Sequence, residues 1–394
     1  MAKTSFEKFI KHESSAGLLL VFSAFLAVLM ANSPANELYE LLLDTPLAIQ
    51  IGTFKLVKPF LLFVNDGMMA IFFILIGLEL KREFLEGELS NTQTIILPAI
   101  GALGGLIIPA TIYIFININD PVAIKGWGIA AATDIALVMG ILSLLGARVP
   151  TSLKAFLTSL AIFDDIGLIF IIAFFYTSNI SLFALLIALC CLIALFSLNW
   201  LGISETSLYV VIGVIMWVAV LKSGVHATLT GILFAMFIPM KSKNDPRISP
   251  LKAMEHDLHA AVAFVVLPVF AFCNSGINFH GLTMAHFLHN VPLGISLGLF
   301  IGKQFGVFVF CWLTIKLRLA KLPKGITWPV LYGAAVLTGI GFTISLFKGS
   351  LAFEETGVNL MYDERLGIFL GSIASGVLGY FILYKYLGPR IDNK

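Results

Sequence analysis

Two adjacent aspartates, Asp164 and Asp165, lie in the middle of a long apolar segment at about 150–176. A charged side chain at the centre of a bilayer costs ~3 kcal/mol on insertion scales, so such residues usually have a function. The side chains of adjacent residues of a helix point ~100° apart, so one carboxylate can face an ion while the other faces a partner side chain. The doublet therefore predicts a buried cation or proton site. The alternative is an architectural ion pair.

Asp134 and Lys303 are further ionisable residues inside apolar segments. Asp134 follows Thr133, and the oxygens of these two side chains suit either capping of a half-helix or coordination of a cation. We predict Lys303 to be the only buried cation. It either offsets a carboxylate as a counter-ion or carries a proton, and the sequence leaves both roles open.

The composition places these charges in a membrane. The 394-residue chain is 59% hydrophobic, its mean hydropathy is +0.97, and 12% of its residues are charged, about half of the ~25% typical of soluble domains. The bilayer is therefore the expected solvent. A net charge of +2 gives no reason to expect nucleic acid as a partner. The four cysteines show neither metal-ligand nor disulfide spacing, and we predict no cofactor.

Twelve apolar windows are candidates for membrane helices, which need ~20 residues each. If both termini are cytoplasmic, the cytoplasmic segments hold eighteen of the 25 lysines and arginines and the other side holds six, as the positive-inside rule requires. We therefore predict an all-α polytopic membrane protein with twelve transmembrane helices and both termini in the cytoplasm. The windows are about 16–31, 59–80, 93–116, 121–146, 150–176, 180–199, 206–221, 224–240, 258–277, 291–315, 327–350 and 366–387.

Windows four and eleven are both interrupted by glycines, among them Gly339 and Gly341 in window eleven. Each glycine costs a helix ~1 kcal/mol relative to alanine. The two windows occupy matching places in two triplets, helices 3–5 and helices 10–12. Paired broken helices in inverted repeats are typical of the midplane ion site of a secondary transporter. The pattern predicts that helices 4 and 11 are broken at mid-membrane.

A second group of ionisable residues lies near the predicted cytoplasmic surface, where window two ends and window nine begins. It includes two histidines three residues apart on one helical face, which would suit a pH-responsive cluster. A solvated cluster of interfacial charges is the slightly favoured alternative. For His226, at the start of window eight, a structural role is the simplest interpretation. The group consists of Glu79, Arg82, Glu83, Glu255, His256 and His259.

The external loop near 47–57 contains two short strand-like runs on either side of Gly52 and Thr53. From this pattern a small β-hairpin and an ordered loop are equally favoured.

In order and spacing, these residues resemble the NhaA-type sodium/proton antiporter family over nearly the whole chain. The resemblance implies that Asp165, Asp134, Thr133 and Asp164 bind the ion and that Asp164 pairs with Lys303 and joins in proton transfer. The residues implied in the pH response are Glu79, Arg82, Glu83, Glu255, His256, His259 and His226. The segments that carry the resemblance are 77–83, 131–136, 161–167, 223–228, 255–256, 268–272, 301–303 and 339–343.

The resemblance also implies an architecture and a reaction. A moving core would lie beside an interface subdomain, and the hairpin near 47–57 would join a homodimer in the bacterial inner membrane. Cytoplasmic Na⁺ or Li⁺ would be exchanged for external H⁺, electrogenically and under pH control, by alternating access. One departure is Lys348, which adds a charge at the predicted external end of helix 11. The implied bounds are 1–394 for the single domain, about 93–176 and 291–388 for the core, and about 14–83 and 180–277 for the interface.

Electrostatics favours exchange at such a site. Two carboxylates ~4 Å apart repel by about 4 kcal/mol at an effective dielectric constant of ~20. Either Na⁺ or a proton relieves this repulsion, so the two compete. The alternatives are an antiporter for another cation such as K⁺ or Ca²⁺, a cation channel, and an intramembrane aspartyl protease. The protease would have little use for Lys303, and channels are usually built from repeated subunits.

Overall fold

The computed structural model describes residues 13–51, 54–87, 92–175, 181–243, 245, 247–354 and 364–388. Within these ranges the chain is mostly helical, with one two-stranded sheet. Nine of the described helices are long and apolar enough to cross a membrane, or ten if the bent pair Ser15–Ala31 and Asn36–Asp44 is one span. The predicted polytopic membrane fold is confirmed. The chain termini at 1–12 and 389–394 lie outside the described residues.

The predicted number of twelve membrane helices is not confirmed. The windows at 206–221 and 224–240 contain helices of 16 and nine residues, Thr206–Leu221 and Leu229–Phe237. Both are shorter than the ~20 residues that a span needs. Neighbouring segments without helical structure would have to complete these two crossings.

The elements are numbered in chain order. A 3-10 helix, Ala123–Ala131, precedes α5, and π-helical turns lie inside α3, α10 and α12 and after α14. The elements are α1 Glu13–Ala31, α2 Asn36–Asp44, β1 Pro46–Ile51, β2 Phe54–Pro59, α3 Phe60–Glu86, α4 Thr92–Asn117, α5 Ile135–Leu145, α6 Thr151–Phe175, α7 Leu182–Leu201, α8 Thr206–Leu221, α9 Leu229–Phe237, α10 Pro250–Asn274, α11 Met284–Phe287, α12 Asn290–Lys316, α13 Trp328–Leu337, α14 Phe342–Gly349 and α15 Glu364–Tyr386.

The chain divides into two compact units. The first comprises residues 1–33, 91–168 and 274–394. In it α12 lies along α4, and α15 packs against both α12 and α13. The close approach of α4 and α12 depends on glycine, because a Cβ at Gly306 would meet the backbone of Gly104 and the reverse is also true. Small residues at such crossings let membrane helices pack backbone to backbone.

Alanine at Gly306 is expected to destabilise the protein by about 1–3 kcal/mol, the usual cost of overpacking. Its Cβ would collide with the carbonyl oxygen of Gly104, and a backbone cannot swing aside as a side chain does. Gly140→Ala is the control, because the nearest atom to its Cβ position is the Cα of Gly17 at 3.6 Å. Thermal melting of both variants in detergent measures the difference, and equal melting temperatures would contradict the packing argument.

Both predicted helix interruptions are present in the first unit. The 3-10 helix Ala123–Ala131 ends at an extended segment before α5, and α13 ends at Leu337, before α14 begins at Phe342. The broken-helix glycines occupy the second break. A Cβ at Gly339 would collide with the carbonyl oxygen of Leu299, so only glycine fits there. The inverted-repeat relation of the two triplets stays a prediction.

The second unit comprises residues 34–90 and 169–273. In it α3 packs along α9, α7 packs along α8, and α10 contacts α3. The short helix α9 ends at carbonyls that would be left unsatisfied. Lys81 of α3 satisfies two of them, since its Nζ donates to the carbonyl oxygens of Met236 at 2.6 Å and Ile238 at 2.7 Å.

For the segment near 47–57, the sequence left a β-hairpin and an ordered loop open, and the structure confirms the β-hairpin. Strands β1 and β2 are antiparallel and pair Leu47 with Lys58 and Ala48 with Val57. The turn residues Gly52 and Thr53 lie outside the described residues. The predicted role of the hairpin in a homodimer stays a prediction.

Candidate functional site

Asp134 joins the two helix breaks. Its backbone N–H donates to the carbonyl oxygen of Ile340 at 2.6 Å, and its side chain accepts three hydrogen bonds. Oδ1 accepts from the N–H of Leu137 at 3.2 Å, while Oδ2 accepts from the N–H of Thr343 at 3.0 Å and from its hydroxyl at 2.5 Å. Asp134 therefore caps the N-termini of α5 and α14 together.

This double cap explains why a carboxylate is tolerated at a position only 2% exposed. The N-terminus of a helix carries the positive end of its dipole, which favours a negative charge. Asp134 lies at two such ends. The sequence offered capping and cation coordination as alternatives for this residue, and the structure contains the capping bonds.

Thr133 connects the breaks to the aspartate doublet. Its Oγ1 lies 2.6 Å from Oδ2 of Asp164 and 2.9 Å from the carbonyl oxygen of Thr338. A hydroxyl has one proton and two acceptor lone pairs, so Thr133 donates to one of these oxygens at a time. The donor role of Thr133 therefore depends on whether Asp164 carries a proton.

Asp164 forms an ion pair with Lys303 in the interior of the first unit. Nζ of Lys303 lies 2.5 Å from Oδ2 of Asp164, and the two side chains are 0% and 3% exposed. Oδ1 of Asp164 has no hydrogen-bond partner among the residues that the structure describes. The structure thus brings together the two residues that the resemblance pairs, and it leaves one carboxylate oxygen available.

Asp165 is only partly buried, unlike its neighbour Asp164. Adjacent residues of a helix point ~100° apart, and this difference in burial agrees with that geometry. In the described part of the chain no group of three or more histidine, cysteine or acidic residues has the geometry of a metal site.

Lys348 departs from the sequence prediction. It is 1% exposed, and it interacts electrostatically with Asp164, Asp165 and Lys303. The prediction that Lys303 is the only buried cation is therefore wrong. Lys348 lies in the last turn of α14, as the sequence predicts, but the fold buries it there.

Several polar residues support the breaks and were not singled out from the sequence. Ser345 donates to the carbonyl oxygen of Ile129 at 2.9 Å, and the hydroxyl of Ser372 accepts from the N–H groups of Gly341 and Phe342, both at 3.2 Å. These residues satisfy backbone groups that a broken helix leaves unpaired. A search for serine and threonine near the glycine clusters would have found them.

The predicted pH-response residues lie in the second unit. Arg82 bridges two carboxylates, at 2.8 Å from Glu83 and 2.9 Å from Glu255. Glu79 is half-buried and His226 is buried, whereas His256 and His259 are exposed. The arginine bridge joins α3 to α10, so this cluster has a clear structural function. Its role in the pH response stays a prediction.

A polytopic helical protein with two interrupted helices, joined through a buried aspartate beside a buried Asp–Lys pair, belongs to the class of ion-coupled secondary transporters. The chain is a member of the Na⁺/H⁺ antiporter 1 family, whose model matches residues 7–383. The resemblance found in the sequence is thereby confirmed. The family consists of transporters rather than enzymes, so the protease alternative is rejected.

Curated relatives cover almost the whole chain. An antiporter from Saccharophagus degradans named Na(+)/H(+) antiporter NhaA 3 is 57% identical over 381 residues, 96% of each chain. One from Desulfotalea psychrophila named Na(+)/H(+) antiporter NhaA is 56% identical over 385 residues, 98% of this chain and 97% of the relative. A Pseudomonas putida protein of the same name is 50% identical over 380 residues, 96% of this chain and 97% of the relative.

Proposed function

We propose that this chain exchanges Na⁺ for H⁺ across a bacterial membrane at the carboxylates of the first unit. The observation that carries the proposal is the buried pair of Asp164 and Lys303 beside the crossing of the two breaks. Oδ1 of Asp164 has no hydrogen-bond partner in the described part of the chain and is available to a cation or a proton. The membership of the family supports the same exchange.

We propose Asp165, Asp134, Thr133 and Asp164 as the ion ligands, because Na⁺ is a hard cation that takes oxygen ligands. A carboxylate offers about four lone-pair sites, and Asp134 already uses three of them for hydrogen bonds. It therefore has one site left for an ion. Oδ1 of Asp164 has no partner among the described residues, and together with Asp165 it would supply most of the negative charge.

Thr133 gives the site a way to respond to the proton. With Asp164 ionised, the hydroxyl of Thr133 donates to Oδ2. If Oδ2 carries a proton, that proton can be donated to Oγ1 of Thr133, whose own proton then turns to the carbonyl oxygen of Thr338. Both acceptors are within 2.9 Å, so this exchange requires only a rotation of the hydroxyl.

The exchange follows from competition for the same oxygens. Each ionised carboxylate of the doublet repels the other, and either a proton or Na⁺ relieves that repulsion. Alternating exposure of the site to the two sides of the membrane then converts a gradient of one ion into transport of the other. If two protons leave for each Na⁺ that binds, the cycle moves one net charge, and we propose such electrogenic exchange.

The remaining features of the proposal concern the rest of the chain. We propose that the cluster around Arg82 sets the pH response, that Li⁺ is a second substrate, and that the protein lies in the inner membrane with both termini cytoplasmic. We also propose that the hairpin forms a contact in a homodimer, since β1 and β2 pair with no further strand among the described residues and open sheet edges pair readily with another chain. The moving core and the interface would follow the bounds predicted from the sequence.

Vesicle transport tests the function. Everted membrane vesicles from cells lacking their own Na⁺/H⁺ exchangers are acidified inside by respiration, and NaCl, LiCl or KCl is added across a pH series. We expect Na⁺ and Li⁺ to make the lumen more alkaline, because H⁺ leaves as the cation enters. No response to either ion at any pH would refute the proposal, and a response to K⁺ alone would support the alternative of another monovalent cation.

A further inference from the structure

Lys348 is a second buried lysine near the aspartate doublet, and the proposed exchange reaction does not use it. It lies in α14, whose eight residues are all buried, so its side chain has no route along a lipid-exposed face. Long basic side chains near the ends of membrane helices usually extend to the interface. At 1% exposure, Lys348 does not.

The ammonium of Lys348 is not neutralised by a close ion pair. Among the described residues, no carboxylate oxygen lies within 4.0 Å of it, whereas Lys303 has Oδ2 of Asp164 at 2.5 Å. Lys348 nevertheless interacts with Asp164 and Asp165 through space, and it repels Lys303. A residue kept only to balance one carboxylate would be expected to pair with it directly, because burial of an ammonium is costly without such a partner.

The other charges described near α14 do not explain the presence of Lys348. The 3-10 helix Ala123–Ala131 and α15 pack against α14. The first contributes Lys125, which is exposed, and the second contributes the buried Glu364, which approaches Gly349 rather than Lys348 in the described contacts. The carboxylates that interact with Lys348 belong to the doublet.

We propose that Lys348 is a positioning residue whose positive charge, acting on Asp164 and Asp165, weakens the binding of Na⁺ and Li⁺ and so sets the ion concentration at which exchange proceeds. An arriving cation meets the same two carboxylates that Lys303 and Lys348 already attract. Removal of one of these positive charges therefore strengthens the binding of the cation. At the effective dielectric constant of ~20 that suits buried protein sites, a unit charge ~10 Å away changes cation affinity on the order of tenfold.

The inference rests on the proposed exchange, and the experiment separates the two. In proteoliposomes, KM and Vmax for Na⁺ and Li⁺ are measured at each pH at which the wild type exchanges. At the highest pH, where protons compete least, we expect Lys348→Met, which keeps the length of the side chain, to lower both KM values about tenfold. Lys348→Arg keeps the charge and should leave KM within about threefold of the wild type. Absence of exchange by the wild type would refute the proposed function instead.

Two controls separate the local charge of Lys348 from net charge and from folding. Lys385→Met removes an exposed lysine at the end of α15 and tests for a general effect of net charge, so its KM should equal that of the wild type. Lys348→Gln is a second neutral variant in case the methionine variant does not fold. Direct titration of the purified proteins with Na⁺ gives affinity even where transport is slow.

Several results would overturn the inference. A KM of a neutral variant within twofold of the wild type, or an equal change in the methionine and arginine variants, would mean that the charge has no influence on the ion. Failure of both neutral variants to fold, with normal KM in Lys348→Arg, would assign Lys348 a structural role only.

Discussion

Asp165→Asn is expected to lower Na⁺-driven proton exchange by at least ~100-fold while the protein stays folded. Asparagine has nearly the same shape as aspartate, but it neither carries charge nor exchanges a proton in this pH range. A carboxylate ~4 Å from a cation attracts it by about 4 kcal/mol at an effective dielectric constant of ~20, and each ~1.4 kcal/mol is a factor of ten in affinity. Asp165 is only partly buried, so removal of its charge leaves the packing of α6 almost unchanged.

Exchange in proteoliposomes measures this prediction, and the melting temperature in detergent reports folding. Asp44→Asn is the matched control, because Asp44 is also helical but exposed and lies outside the first unit. That control should exchange as the wild type does. Exchange by Asp165→Asn within about threefold of the wild type would remove Asp165 from the ion site.

The sequence could predict the features whose cause is local. A charged residue inside an apolar segment has a free-energy cost in the bilayer that the sequence alone reveals. Asp134, Asp164 and Lys303 can therefore be identified without any knowledge of contacts. Glycine weakens a helix wherever it occurs, so both breaks were also predictable. Gly339 has a further reason that only the fold reveals, because its Cβ would collide with the carbonyl oxygen of Leu299.

The partners across the breaks could not be predicted in this way. Thr343 donates two hydrogen bonds to Asp134, from 209 residues further along the chain, and nothing in its own segment indicates that contact. The burial of Lys348 could not be predicted for a related reason. A lysine in the last turn of a membrane helix usually extends to the interface, but packing by other elements leaves Lys348 only 1% exposed.

The count of twelve membrane helices is not confirmed, because hydropathy counts apolar residues and not helical ones. The segment 224–240 is mostly apolar, yet only Leu229–Phe237 is helical. The residues just before this helix include the buried polar side chains of Ser223, His226 and Thr228. Non-helical backbone is tolerated at membrane depth where it is buried in protein, so an apolar window does not guarantee a regular helix.

Lys303→Ala is expected to destabilise the protein by about 3–5 kcal/mol. The reason is that Asp164 would keep its buried charge but lose the partner at 2.5 Å. Replacing Asp164 by asparagine in the same chain should restore part of this loss, because an uncharged amide does not require a counter-ion. The free energies of unfolding of the two single variants and the double variant form a cycle that isolates the energy of the pair. Additive losses would contradict the proposed ion pair.

A measurement of charge movement distinguishes the two roles open to Lys303, which are counter-ion and proton carrier. Lys303→Gln can still donate a hydrogen bond to Asp164 but carries no proton across the membrane. Because Lys303 is completely buried and held against Oδ2, we expect it to act as a counter-ion, so the glutamine variant should be less stable yet still exchange Na⁺ and respond to an imposed membrane potential. Exchange that no longer responds to the potential would mean that one transported charge has been lost, and would assign that proton to Lys303.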